Sequence, residues 1–106
     1  MKIIKEITEH IKEEMEGVED YIKFASKVKG EDEIVFDDLM TIIPQEIKHI
    51  EIWHEVAVKE IAKEREHLKI QGKEIPPYML EMWQDEHEHY IEHMGKIKYK
   101  IELLKS

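Results

Sequence analysis

The chain is predicted to be all-α, a bundle of long antiparallel helices, and three observations support that class. Apolar residues recur in alternating steps of four and three along most of the sequence, the spacing of one helix face. Glycine and proline are sparse, four and three in 106 residues, and they divide the chain into three long segments, none of which reads as a strand. Helices of about 28 to 40 residues would be rods of roughly 40 to 60 Å, which pack side by side.

The first helix is expected over about residues 2–29, with Gly30 as its stop. Its stripe runs through Ile7, Ile11, Val18, Tyr21, Ala25 and Val28, and Glu14 stands among them. The second helix is expected over 32–70, opened by Asp32 as a cap and ended at Gln71-Gly72. Phe36, Leu39, Ile43, Ile50, Trp53 and Ala57 form its stripe, interrupted by Glu46. Pro44 deletes one backbone hydrogen bond, so this segment either bends there or divides into a short helix and a longer one. Lys73 to Pro77 makes the second connection, and the paired prolines start a third helix over 77–104. Its stripe is Trp83, His87, Tyr90, Met94, Ile97, Ile101 and Leu104, with Glu86, His89 and His93 along an adjacent face.

A length of 106 residues fits one domain, and 42% hydrophobic content supplies one core. The charged residues, 39% of the chain, are interleaved with periodic apolar positions, as in a folded protein. A net charge of -9 repels nucleic acid and attracts cations. The absence of cysteine excludes disulfides, thiolate metal sites and cysteine nucleophiles. Residues 1–6 lack the apolar run of a signal peptide, and no stretch of eighteen apolar residues exists, so a cytoplasmic protein without membrane insertion is expected.

Carboxylates on a core stripe need an explanation, because an ionised, unpaired one costs several kcal/mol, roughly, and is usually protonated, paired or bound to a cation. Glu46 and His49 form a Glu-x-x-His motif, whose members three residues apart project to one side of a helix and can reach one ion or two adjacent ions. Glu14 on a neighbouring helix can bridge two such ions. The same motif recurs at Glu51/His54, Glu64/His67 and Glu86/His89, but only Glu46 lies on a central stripe with another stripe-borne glutamate available. The 51/54 and 64/67 copies are therefore assigned to solvated faces, as are His10, His54 and His67 individually. Tyr21, Trp53 and Trp83 are read first as core packing, and His87 as a hydrogen-bonded core or interface histidine.

Glu14, Glu46 and His49, together with the Glu14-x6-Tyr21 spacing and Phe24-Ala25, resemble the first two helices of the ferritin-like superfamily, most closely its small rubrerythrin-like and half-ferritin members. The likeness covers about residues 5–61 and implies a di-iron carboxylate centre in a four-helix bundle, with glutamates bridging the ions and histidines as terminal ligands. Tyr21 would then hydrogen-bond near the site or supply an electron. Oxygen and nitrogen donors suit iron or manganese, and imidazole also admits zinc. The implied chemistry is oxidation of Fe(II) by dioxygen or peroxide, a ferroxidase or peroxide-scavenging role. Without cysteine, any rubredoxin-like electron donor must be external.

The chain departs from the family in having one helix where a second pair is expected. A homodimer, or a higher oligomer, would double Glu14, Glu46 and His49 about a twofold axis. Alternatively, the third helix would supply Glu86 with His87 or His89. The competing reading is a metal-free helical module that binds a second copy or another protein's helices. A zinc hydrolase fits less well, for want of a His-Glu-x-x-His run.

Overall fold

Residues 2–106 are described by a computed structural model in which three helices account for nearly all of the chain. They are α1 (Lys2–Val28), α2 (Glu33–Ile70) and α3 (Pro77–Lys105), and among the described residues there is no strand. The punctuation in the sequence acts where its chemistry suggests. Gly30 takes a φ of 82°, a left-handed conformation that L side chains rarely adopt, and turns the chain out of α1. Asp32 caps α2, its carboxylate accepting from the Val35 amide at 3.1 Å. At the other end, Gly72 has a φ of 69°, the Lys73 amide reaches back to the Leu68 carbonyl at 2.9 Å, and the Gly72 amide bonds Lys69 at 3.0 Å. These bonds make a Schellman stop. Pro76 and Pro77 then set α3 going, Pro77 occupying the first turn, where a missing N–H costs nothing.

Pro44 does not divide the second helix. α2 runs unbroken through it for 38 residues, and the proline is exposed on the solvent side. Thirty-eight residues at 1.5 Å each make a rod of about 57 Å, which sets the molecule's longest dimension: the extents are 61 × 18 × 17 Å.

Contacts between helices fix their directions. His10 meets Trp53 and Glu14 meets Glu46, so α1 and α2 run antiparallel. Lys12 pairs with Glu86 and Glu19 with His93, each pair 74 positions apart, so α1 and α3 run parallel. No Cα atom of α2 comes within 8 Å of one in α3. Helix α1 is thus the shared wall, and its buried face is wide enough for two neighbours: Ile4, Ile7, Ile11, Met15, Val18, Ile22 and Ala25. From α2 come Leu39, Ile43, Ile50 and Ala57, and from α3 Met94, Ile97, Ile101 and Leu104, forming one cluster with most of α1. Ile4, Met79 and Trp83 close a smaller cluster at the other end.

The α1 stripe is broader than the four-and-three reading. Met15 and Ile22, not Glu14 and Tyr21, occupy its centre. Glu14 and Tyr21 sit on its edge, next to α2, with 23% of the Glu14 side chain and 37% of Tyr21 exposed. Among the described residues no polar or charged side chain counts as buried, so the core itself is apolar.

Candidate metal-binding edge

Two groups of polar side chains flank the α1 wall, one on each side. The first lies along the outer edge of the α1–α2 pair. Residues 42, 46, 49, 53 and 56 follow in steps of four, three, four and three, so Ile42, Glu46, His49, Trp53 and Val56 share one side of α2. The facing side of α1 carries His10, Glu14 and Tyr21. Antiparallel packing brings the Glu14 and Glu46 carboxyl groups within hydrogen-bonding reach. His10 Nε2 stands 3.3 Å from Glu14 Oε1, and His49 Nδ1 stands 3.8 Å from Glu46 Oε1. The His10 ring is held edge-on to Trp53, centroids 4.7 Å apart.

Electrostatics mark this edge. Glu46 holds its proton more tightly than an ordinary glutamate, first because it hydrogen-bonds Glu14, then because it is partly buried, and then because Glu14's charge repels its own; His49 opposes the effect. Two carboxyl groups compete for one place, with an imidazole on either side. Such a place is relieved by a shared proton or by a cation. The donors can hold a cation, but among the described residues no three acidic or histidine side chains converge tightly enough to enclose one.

The second group lies on the opposite flank. Lys12 and Glu14, two residues apart, project about 200° apart around α1. Lys12 pairs with Glu86 at 3.3 Å, and Glu19 accepts from His93 Nε2 at 2.9 Å with Lys100 at 3.9 Å. His89 stands edge-on to His93, centroids 5.3 Å apart. His87 meets His54, Nδ1 to Nε2 at 3.2 Å. The α3 donors Glu86, His87 and His89 are therefore engaged on the α3 side of α1, away from the Glu14–Glu46 edge. A small cavity of about 60 Å³ lies there between the helices, lined in part by Met15, Ala57, His54 and Trp83. Trp83 Nε1 is buried without a partner.

Two residues differ from their expected places. His10 is not free in solvent but braced between Glu14 and Trp53, and its signal was the four-residue step to Glu14. His54 is half-buried and stacked flat on Tyr90, centroids 3.8 Å apart with planes at 2°. It stands four residues after the fully buried Ile50, which places it beside the α2 stripe. His67 is exposed and touches Gln71. Trp83 packs into the core as expected, Trp53 packs against it partly exposed, and Tyr21 lies at the rim.

No family model matches the chain, and no curated protein or solved structure matches it. No helix among the described residues is long and apolar enough to cross a membrane.

Proposed function

We propose that the chain is a ferritin-like di-iron carboxylate protein that binds Fe(II) and oxidises it with dioxygen or peroxide. The site would be completed by a second copy of the chain. The observation that carries this reading is the enforced meeting of Glu14 and Glu46 at a partly open edge, with His49 beside Glu46. Deprotonated, the two carboxylates repel; a divalent cation between them converts that repulsion into attraction. A twofold axis along this edge doubles the set to four glutamates and two histidines, the composition of di-iron centres in helical bundles.

In this reading Glu14 and Glu46 would hold the cations, and Glu46 would give up its proton on loading. His49 is a terminal nitrogen donor once its ring turns toward the site, and His10 steadies Glu14. Iron held there would supply the redox chemistry, one electron from each Fe(II), so that two of them would reduce one dioxygen with two protons to hydrogen peroxide, or one hydrogen peroxide with two protons to two waters. Tyr21, two turns beyond Glu14, would hydrogen-bond near the site or donate an electron. Manganese or zinc would suit the same donors. The partly exposed Tyr21 and Phe24, with Ile42 and Val56 across the groove, give a second copy an apolar surface to cover.

The test is anaerobic loading with Fe(II), followed by iron analysis and near-ultraviolet absorbance on admitting air. About one iron per chain, oxidised rapidly and lost in Glu46→Ala, is the expected result for a shared pair. About two per chain would instead recruit the α3 donors. No iron bound would overturn the reading and leave a metal-free interaction module, in which Glu14 and Glu46 merely share a proton.

A further inference from the structure

The geometry points to a second metal site, separate from the Glu14–Glu46 edge: His54 on α2 and His87 on α3 together bind a borderline divalent cation such as Zn²⁺, as a clasp between two helices whose backbones do not touch.

The ring nitrogens face one another, His54 Nε2 and His87 Nδ1 standing 3.2 Å apart with the ring planes inclined by 23°. Two bonds of about 2.05 Å to one zinc ion, spanning that gap, subtend roughly 100°, close to a tetrahedral angle. An ion about 1.3 Å to one side of the line between the nitrogens takes both once the rings turn from facing each other to face it, by up to roughly 40° each. The Tyr90 ring stacked on His54 fixes the plane of that imidazole.

No third acidic or histidine side chain among the described residues converges on the pair as it stands, so a further donor has to move in. Glu51 stands one turn before His54 in a Glu-x-x-His step, and it lines the same cleft as Glu55, His54 and Tyr90. A carboxylate turning in from there, with water, would complete four-coordination. Paired imidazoles favour zinc, nickel or copper over calcium or magnesium. The other histidine pair on α3, His89 and His93, is less available, because His93 Nε2 is already taken by Glu19 at 2.9 Å.

The consequence is mechanical. Helix α3 is held to α1, and its link to α2 runs through side chains such as His54, His87 and Tyr90. An ion across the histidine pair ties α3 down from its second side, and binding only the folded state raises the unfolding temperature by mass action.

Calorimetric titration of the metal-free protein with Zn²⁺, repeated for His87→Gln, His54→Gln, Glu46→Ala and His89→Ala, tests the clasp. The expected result is loss of one binding event, at least tenfold weaker, in both His54→Gln and His87→Gln, with that event retained in Glu46→Ala and His89→Ala. The event should bring a rise of roughly 10 °C in unfolding midpoint at a hundredfold excess over the dissociation constant. His87 is exposed, so His87→Gln keeps the fold, as its circular dichroism will check. Co²⁺ provides an independent readout, since tetrahedral coordination gives intense visible absorption that His87→Gln removes. If both histidine variants titrate like the parent protein, or if the event disappears with Glu46→Ala, the pair is a hydrogen bond and not a metal site. Failure of iron binding at the Glu14–Glu46 edge leaves this outcome untouched, because Glu46→Ala separates the two.

Discussion

Glu46 and His54 have proton affinities displaced in opposite directions, and this gives them opposite effects on stability. Glu46 is raised by its bond to Glu14, burial and Glu14's charge, so the folded state binds more protons than the unfolded one above the ordinary carboxylate range. The pair is therefore destabilising at neutral pH and is relieved as pH falls through the folded value. His54 is lowered by burial and by His87, so its contribution is complete above about pH 6.5 and is lost as acid forces a proton onto it. Thermal unfolding in chelator, compared at about pH 7.5 and about pH 5.5, separates them. Glu46→Gln is expected to be more stable than the parent at the higher pH, by about 0.5–1 kcal/mol. His54→Gln is expected to lose less stability on acidification than the parent does. The Glu46 direction is foreshadowed by a carboxylate on an apolar stripe, but the His54 one is not legible in the sequence, because its partners, His87 and Tyr90, lie on a helix more than thirty residues away.

Helices were the most readable level. Gly30, Asp32, Gly72 and the Pro76-Pro77 pair carry their own backbone chemistry, so the four helix ends at the two connections follow from residues next to them. The centre of each stripe was less readable. On α1 the positions 7, 11, 18 and 25 fit two sets equally, one passing through Glu14 and Tyr21 and the other through Met15 and Ile22. The second set wins because α1 faces two neighbours, and the middle of a broad stripe goes to the side chains without charge. Pro44 was open between a bend and a break, and packing of α2 along α1 carries the helix through it. The carbonyl of Met40 still lacks its usual donor, since proline has no N–H. Because Pro44 is exposed, Pro44→Ala restores that bond without disturbing the core and is expected to raise stability by about 1–3 kcal/mol in denaturant unfolding. A lower midpoint would mean that the local geometry at Pro44 is built into the fit between α1 and α2.

For the whole molecule, the question is what covers the outer edge. Two helices and a third laid on one side leave the opposite groove without a neighbour, whereas a four-helix bundle would fill it. Phe24 lies beside that groove, 49% exposed and outside both core clusters, and suits a contact between copies. Sedimentation of iron-loaded protein is expected to show a dimer. Phe24→Glu should weaken association by roughly tenfold or more while leaving helical content unchanged. A variant that associates like the parent would place the twofold axis elsewhere. This level was the least legible in sequence, since three stripes specify three buried faces but not which side of the shared helix each neighbour takes.

The absence of backbone contact between α2 and α3 also ranks the ways the molecule can open. Detaching α2 exposes the larger share of the α1 face and splits the Glu14–Glu46 pair, whereas detaching α3 breaks ion pairs and one apolar seam and leaves that pair joined. The cheaper excursion is thus the peeling of α3 from an intact hairpin, so amide protons of α3 exchange with solvent before those at the α1–α2 seam. In kinetic terms, the candidate iron edge belongs to the half of the protein that assembles from adjacent sequence and comes apart last.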